Sequence, residues 1–196
     1  VAKALEHVAP AHRVEVSSDP LVIDQADQVV LPGQGAVGTW LNTLLQGDLK
    51  DAILVALDSR PVLGICLGLQ ALYDSSEEDG GKEGLCVLAG KVRRFASVEP
   101  FDSQIKVPHM GWNNVRQVVV HPLWQGIEQD SRFYFVHSYY AESASVAEVF
   151  GTTDYGVQFT SAAGRKNVFA VQFHPEKSHN QGLALLRNFV HWDGGV

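Results

Sequence analysis

The spacing of apolar residues predicts an amphipathic helix at the start of the sequence. Val1, Ala4, Leu5 and Val8 stand at i, i+3, i+4 and i+7, so they share one face of a helix. Neither a capping residue nor a methionine precedes this pattern. In an α/β domain a helix normally follows a strand, and we therefore expect that a first strand and its loop belong before Val1.

Strand-like and helix-like segments then alternate over the next sixty residues. The predicted elements are strands at 13–17, 26–31 and 61–66 and helices at 47–57 and 67–73. Alternation of this kind with short connections is typical of a mainly parallel sheet that is covered by helices on both faces.

From about residue 85 onward, strand-like runs follow one another with few helical intervals. They are at 90–95, 115–119, 133–140, 155–162 and 168–173. We expect antiparallel strands here. A closing helix is predicted after Ser178, which with Gln181 has the spacing of a capping box, and its apolar stripe runs over 183–190. Neither a repeat nor a linker interrupts the chain, so residues 1–196 are predicted to form a single domain.

Composition narrows the possible functions. Of the 196 residues 45% are hydrophobic and 19% charged, which favours a globular chain over a disordered one. The net charge of -7 opposes broad electrostatic binding to nucleic acid or to an anionic membrane. The sequence contains neither a membrane-length apolar run nor a signal-peptide pattern, so a cytoplasmic protein is expected. Two cysteines without zinc-site spacing indicate thiols in a reducing compartment, with no metal site and no cofactor.

The segment Gly-Ile-Cys-Leu-Gly at 64–68 is the thiol form of the G-x-S-x-G nucleophile elbow. Its context fits, because a predicted strand precedes Cys66 and a predicted helix follows it. The sulfur would then face the positive end of a helix, which favours thiolate, and the amide of Leu67 would be free to stabilise an oxyanion. The alternative is a small buried cysteine in the core.

A base for this thiol is available at the end of the run 168–173. His174, Pro175 and Glu176 follow it directly, and residues two apart in an extended chain point the same way. Proline pushes His174 toward the β conformation, so that Glu176 can orient the imidazole. Cys66, His174 and Glu176 therefore have the composition of a catalytic triad. The alternative is that His174 and Glu176 are merely the end of a strand and the start of a helix.

A glycine-rich segment admits two interpretations. Gly33, Gly35 and Gly38 fit the dinucleotide-binding pattern G-x-G-x-x-G after a strand, and Asp58 lies 20 residues beyond Gly38. That fold would require an acidic residue at the end of the next strand, where this chain has Cys66 instead. We therefore expect the loop of Gly33, Gln34 and Gly35 to bring backbone amides close to a bound group.

Taken in order, the motifs Pro-Gly-Gln-Gly at 32–35, Gly-Ile-Cys-Leu-Gly-Leu-Gln at 64–70 and His-Pro-Glu at 174–176 resemble those of the class I, triad-type glutamine amidotransferases. The resemblance covers almost the whole chain. It implies a flavodoxin-like three-layer fold with a mainly parallel central sheet and additional antiparallel strands in the C-terminal half. Segments 75–78, 106–113, 133–139 and 174–178 resemble the members that serve a cyclase in histidine biosynthesis.

The resemblance also implies roles for individual residues. Cys66 would be the nucleophile, His174 the general acid and base, and Glu176 its orienting carboxylate. The positions that would hold glutamine are Gly33, Gln34, Gly35, Leu67, Gln70, Glu78, His137, Ser138 and Tyr139. Trp112 and Asn113 match partner-facing positions, with a core tryptophan as the alternative. The strand and the Asp-Tyr-Gly-x-Gly-Asn type loop with which this family usually opens are absent before Val1.

By this resemblance the chain would hydrolyse glutamine and pass the ammonia to a separate cyclase subunit in a heterodimer, since it is too short to hold a synthase domain as well. Two alternatives stay open. One is a glutaminase subunit of another synthase, such as those for anthranilate or pyridoxal phosphate. The other is a regulatory module that keeps the fold without turnover.

Overall fold

Helices and strands alternate early in the chain, and strands dominate after residue 85. The computed structural model describes residues 1–44, 47–97 and 105–195. The helices are α1 Ala2–Val8, α2 Pro20–Asp24, α3 Val37–Leu44, α4 Asp48–Ser59, α5 Leu67–Gln70 and α6 His179–His191. The strands are β1 Val29–Gly33, β2 Val62–Cys66, β3 Ser75–Ser76, β4 Lys82–Glu83, β5 Gly90–Arg94, β6 His109–Asn114, β7 Arg116–Gln117, β8 Arg132–His137, β9 Tyr139–Ser143, β10 Val149–Asp154, β11 Gln158–Arg165 and β12 Val168–Val171. Short 3-10 turns lie at Glu78–Gly80, Phe95–Ser97, Pro122–Trp124, Val146–Glu148 and Pro175–Lys177.

The main sheet is mixed, and it combines parallel strands with the additional antiparallel strands predicted for the C-terminal half. Its order is β1-β2-β12-β11-β9-β5-β3-β4, and β10 pairs with β11 and with the short β7. The pairs β1 with β2, β2 with β12 and β3 with β5 are parallel. Strands contributed by the C-terminal half are otherwise joined by antiparallel pairing, and β6 forms a separate antiparallel pair with β8.

Two apolar cores lie on opposite faces of the parallel strands. On one face, Ile65 of β2 belongs to a core that includes Leu5 of α1 and Phe189 of α6. On the other, Val62 belongs to a core that includes Ile53 of α4. This sidedness follows from the alternation of side chains along a strand. The result is the predicted sandwich of helices on both faces of a sheet.

Parallel pairing places the ends of three strands together. Gly33 at the end of β1 pairs with Cys66 at the end of β2, and Val171 at the end of β12 pairs with Ile65. Because the carboxyl ends of parallel strands share one edge, the segments that follow β1, β2 and β12 meet there. In open α/β sheets this edge is where ligands bind.

Several predicted elements differ from the structure. Residues 13–17 are not a strand, and the helix predicted at 67–73 ends at Gln70. The aromatic run 133–140 is divided into β8 and β9, with Ser138 between them. Helix α3 was not predicted, because it follows a glycine-rich loop. Strand β10 was not predicted either, because the alternation of apolar and polar residues around it is weak.

The predicted capping box of α6 is also wrong. Ser178 is the N-cap residue, but its side chain caps no helix amide. Its Oγ instead accepts a hydrogen bond from the backbone amide of Tyr134 (3.0 Å) and donates one to the carbonyl of His174 (2.6 Å). Ser178 thus ties the segment after β12 to β8.

Candidate active site

The backbone at Cys66 has the strained geometry of a nucleophile elbow. Cys66 has φ 56° and ψ -105°, which a residue with a side chain adopts only at a cost. The two flanking glycines provide the necessary space. A Cβ on Gly68 would lie 1.9 Å from the carbonyl oxygen of Leu31, and one on Gly64 would lie 2.9 Å from Cβ of Ala170. The turn therefore requires glycine on both sides of the cysteine.

His174 and Glu176 are brought together just beyond β12, as predicted. Nδ1 of His174 lies 2.9 Å from Oε1 of Glu176. His174 has the expected β conformation, but Glu176 lies in the single 3-10 turn Pro175–Lys177 rather than in an extended segment. The backbone of His174 is also fixed, because its amide donates to the carbonyl of Tyr134 (2.9 Å).

The tautomer of His174 follows from this contact. A carboxylate only accepts hydrogen bonds, so Nδ1 carries the proton and Nε2 presents a lone pair when the ring is neutral. Nε2 is buried and has no hydrogen-bond partner among the described residues. The chemically active nitrogen is therefore the one turned away from Glu176.

The electrostatics of this group of side chains are strongly coupled. Burial lowers the pKa of His174, but the nearby Cys66 and Glu176 side chains raise it, to a net value of about 9. Burial raises the pKa of Glu176, whereas the hydrogen bond and positive charge of His174 lower it, and the net direction is downward. The imidazole and the thiol lie at the same edge of the sheet, because Nε2 of Gln172, two residues before His174, is 3.6 Å from Sγ of Cys66. At neutral pH the imidazolium form is favoured.

The glycine loop lies directly beside the elbow. A Cβ on Gly33 would meet Cβ of Leu67 at 2.5 Å, so the end of β1 packs against the first residue of α5. Nε1 of Trp40 donates to the carbonyl of Pro32 (3.1 Å) and so fixes the start of the loop. Gly35 has φ 91° and open space where a Cβ would be. The loop is held at Pro32, and nothing packs against the position that a side chain would take at Gly35.

Gln70 is buried behind Cys66, one helical turn further on. Its Nε2 donates to the carbonyl of Tyr139 and to Oε1 of Gln172, both at 3.0 Å. Its Oε1 is buried without a partner among the described residues. A buried acceptor of this kind is available to a ligand that brings a donor.

The side chain of Glu78 binds the first backbone amide of α3. Its Oε2 accepts a hydrogen bond from the amide of Val37 (3.0 Å), and Asp79 accepts one from the amide of Gly38 (3.0 Å). Burial raises the pKa of Glu78, the bond from Val37 lowers it, and the charge of Asp79 raises it further. Glu78 therefore holds the chain directly after the glycine loop, since α3 begins two residues after Gly35.

His137 and Ser138 stand at the junction of β8 and β9. Nδ1 of His137 contacts the carbonyl of Tyr139 (2.7 Å) and Nε2 contacts Nδ1 of His109 (2.9 Å), so both ring nitrogens are engaged within the protein. Burial lowers the pKa of His137 to about 3 and that of His109 to about 4. Both rings are therefore neutral at physiological pH. The carbonyl of Ser138 accepts from the amide of Phe95 (3.2 Å).

Trp112 and Asn113 occupy opposite faces of β6. Trp112 is 36% exposed and stacks on His179, with ring centroids 5.0 Å apart. Met110, on the same face, is 62% exposed. The amide of Asn113 instead points inward, donating to the carbonyl of Asp154 (2.9 Å) and contacting Nε2 of His109 (3.3 Å). The core alternative for Trp112 is wrong.

Sequence reasoning missed two residues of this site. Gln172 is fully buried, and its Nε2 lies 3.6 Å from Sγ of Cys66. His109 is the inner partner of His137. Gln172 had a visible signal, because it is the one polar residue in the apolar run 168–173. His109 had none, since its partner lies 28 residues away.

Neither a membrane-spanning helix nor a metal-binding cluster is found in the described ranges. None of the helices there combines the length and apolarity needed to cross a membrane. Nor do three or more His, Cys, Asp or Glu side chains gather there in an arrangement that would hold a metal ion.

Comparison with protein families places this geometry in context. The family model described as "Glutamine amidotransferase class-I" matches residues 4–192. The imidazole glycerol phosphate synthase subunit HisH of Nitrosomonas europaea is 50% identical, with 98% of this chain and 92% of the relative covered. The subunit of the same name from Nitrosospira multiformis is 52% identical, with 98% and 91% covered.

Solved structures show the same fold at much lower identity. A glutamine amidotransferase from Thermotoga maritima has a TM-score of 0.61 and 18% identity, with 93% of this chain and 82% of that chain covered. The glutaminase domain of a Trypanosoma brucei CTPS, solved with bound acivicin, has a TM-score of 0.66 and 16% identity, with 97% and 87% covered. These two likenesses establish the fold alone.

Proposed function

The chain belongs to the class-I glutamine amidotransferase family, and from that premise we propose that it hydrolyses glutamine to glutamate and ammonia as a subunit of imidazole glycerol phosphate synthase. One observation supports this most strongly. A strained, glycine-flanked Cys66 lies beside His174, whose other nitrogen is bonded to Glu176. This is the arrangement of a nucleophile, a base and an orienting carboxylate.

In the first half of the reaction, the Cys66 sulfur attacks the carbon of the glutamine side-chain amide. The tetrahedral intermediate then collapses as the carbon–nitrogen bond breaks. His174 supplies a proton from Nε2 to the departing nitrogen, and ammonia leaves. The raised pKa of His174 suits this step, because the imidazolium form that donates the proton is present at neutral pH.

In the second half, water hydrolyses the glutamyl thioester. Nε2 of His174 has given up its proton and now presents a lone pair. It takes a proton from the water while the water oxygen attacks the carbonyl carbon of the thioester. The carbon–sulfur bond breaks, and glutamate leaves. Glu176 keeps the ring in the required tautomer throughout, since its carboxylate accepts the Nδ1 proton.

The developing oxyanion is stabilised by backbone amides. The amide of Leu67 is in the first turn of α5, where helix amides have no intrahelical partner. The second donor comes from the Gly33, Gln34 and Gly35 loop. Glycine on either side of Gln34 lets one peptide rotate between amide-in and carbonyl-in, and a missing oxyanion donor costs about 10²- to 10³-fold in rate. Partner binding would select the active rotation.

The amino-acid end of glutamine binds between α5, the loop and the β8–β9 junction. Gln70 offers its unpartnered Oε1 to the α-amino group, and Glu78 supplies a carboxylate. Ser138 and Tyr139 line the other side. His137 acts through Tyr139, because it holds that carbonyl with Nδ1.

The partner is a cyclase subunit that forms a heterodimer with this chain. It would use the ammonia to convert a phosphorylated ribulosyl substrate to imidazole glycerol phosphate and an aminoimidazole carboxamide ribotide. The names of the relatives at 50–52% identity favour this partner over the synthases of anthranilate or pyridoxal phosphate. The exposed Met110 and Trp112 on β6 are the surface we assign to it. Two free thiols, Cys66 and Cys86, suit a cytoplasmic location.

Steady-state assays of glutamate release test the proposal. We expect slow turnover by the chain alone and a rise of about 10²-fold or more when the cyclase partner and its ribulosyl ligand are present. Equal kcat in both conditions would contradict the loop mechanism. Absence of any glutamine hydrolysis in the complex would favour the regulatory alternative, and activation by the partner of another synthase would reassign the pathway.

A further inference from the structure

The proposed reaction assigns no role to Gln172, although this residue lies in the site. It is fully buried immediately after β12, and its Nε2 lies 3.6 Å from Sγ of Cys66. Because Ile65 pairs with Val171 in parallel register, the next residues along, Cys66 and Gln172, lie side by side. We propose that Gln172 is a positioning residue that donates a hydrogen bond to the sulfur of Cys66 and holds it in its reactive, thiolate-favouring orientation. This inference rests on the proposed function.

The orientation of the Gln172 amide is set by its neighbours. The carbonyl of Tyr139 only accepts, so the side chain of Gln70 must turn its NH₂ group toward it. The same NH₂ group of Gln70 also donates to the side-chain amide of Gln172 at 3.0 Å. The atom of Gln172 that faces Gln70 must therefore be the acceptor Oε1. The NH₂ group of Gln172 is then left facing the sulfur. A flipped Gln172 would place two NH₂ groups against each other.

A second set of contacts fixes the Tyr139 carbonyl itself. It accepts from Nδ1 of His137, which leaves Nε2 of His137 to accept from Nδ1 of His109. Nε2 of His109 in turn accepts from the amide of Asn113 (3.3 Å). Each N–H group in this series meets one acceptor, which agrees with two neutral imidazoles, and these contacts hold the Tyr139 carbonyl in place.

The sulfur of Cys66 is therefore held from two sides. His174 exchanges a proton with it, and Gln172 donates to it without titrating. Of the groups that do titrate, His174 acts on Cys66 directly, while Glu176 and His137 act through His174. An N–H donor to sulfur stabilises the anion more than the thiol, so its loss should make the thiolate harder to form.

The test measures the rate at which iodoacetamide alkylates Cys66 as a function of pH, in a Cys86→Ala background so that a single thiol reacts. Gln172→Met keeps the length of the side chain and removes the donor. We expect the midpoint of the alkylation profile to move up by about one pH unit, with about tenfold slower alkylation at pH values below the midpoint. In the complex, kcat for glutamine should fall more than KM changes.

Two further variants keep the result decisive. Gln172→Glu retains an acceptor for Gln70 and places a negative charge against the sulfur, so the midpoint should move further in the same direction, even if the Met variant fails to fold. Ser161→Ala is the control, because Ser161 is equally buried on β11 and its Oγ has no partner among the described residues. It should change neither the midpoint nor kcat.

An unchanged midpoint in a folded Gln172→Met or Gln172→Glu chain would overturn the positioning role. So would an equal shift in Ser161→Ala, because that result would show a general effect of altering this part of the core. Alkylation needs neither glutamine nor the cyclase. A shifted midpoint in a chain without glutamine turnover would therefore sustain the role of Gln172 and reject the proposed function.

Discussion

The two cysteines of this chain share a positive backbone φ and have opposite surroundings. Cys66 has φ 56° and Cys86 has φ 54°. Cys66 is 5% exposed, the amide of Gln172 faces its sulfur, and its thiol raises the pKa of the nearby His174 imidazole. Cys86 is exposed, and its sulfur lies 4.0 Å from the carbonyls of Asp74 and Gly84. A strained turn alone does not make a nucleophile. The groups that do so reach Cys66 from the segment after β12, more than a hundred residues further along the chain.

The largest effect should come from removing each thiol in turn. Cys66→Ala is expected to abolish glutamine hydrolysis, because it removes the thiol that forms the thioester beside His174. Synthesis driven by added ammonia should survive, since the cyclase site lies on the partner. Cys86→Ala should leave both rates unchanged. Loss of glutaminase activity in the Cys86 variant, with activity retained in the Cys66 variant, would reverse the comparison.

The next largest effect should come from Glu176→Gln. Glu176 is one of the groups that raise the pKa of His174 to about 9, so its neutralisation should lower that pKa. The activity lost at high pH, as His174 gives up its proton, should then be lost at lower pH, and kcat should fall by about 10- to 100-fold. A pH profile of kcat/KM measures this. Alkylation of Cys86 serves as the internal control and should not change.

The same ion pair should contribute to stability in a defined pH range. A pKa raised from 6.5 means that the His174 contribution is complete below about pH 6.5 and is lost as the pH rises through about 9. The lowered pKa of Glu176 means that its contribution is lost as the pH falls through the folded pKa. The difference in Tm between the parent chain and Glu176→Gln should therefore be largest near about pH 6 and shrink above about pH 9. A constant difference would reject the pair as its source.

A smaller effect is expected from adding a methyl group beside each cysteine. A Cβ on Gly68 would meet the carbonyl of Leu31 at 1.9 Å, and one on Gly84 would meet the carbonyl of Tyr73 at 2.0 Å. Each alanine variant should be destabilised by about 1–3 kcal/mol, as in other overpacked sites. Only Gly68→Ala should also slow the alkylation of Cys66. Equal reactivity of Cys66 in the two variants would show that the elbow geometry is unimportant.

The parts of the site that were predictable from sequence depend on neighbours in sequence. The strand and turn around Cys66 follow from an apolar run and two glycines, and the His174–Glu176 bond follows from their spacing. The start of α3 was missed because the carboxylates that bind its first amides, Glu78 and Asp79, come from 41 residues away. The capping box failed for the same reason, since the Ser178 side chain is engaged with Tyr134 instead.

The strand predicted at 13–17 failed because an extended segment needs a partner strand, and the described structure pairs no strand with it. Trp112 and Asn113 were grouped by position although neighbours in a strand point to opposite faces. Gln172 and His109 illustrate the same limit within the site. Their importance lies in contacts with Cys66 and His137, and these exist only once the sheet has formed.

The most direct test of the central claim is to label the complex with a glutamine-like electrophile and to map the modified peptide by mass spectrometry. We predict one modification per chain, on Cys66, which glutamine prevents in proportion to its concentration and which Glu176→Gln slows. Cys86 should stay unmodified although it is the more exposed thiol. Modification of Cys86 instead, or labelling of Cys66 that glutamine does not prevent, would contradict a glutamine site built around Cys66.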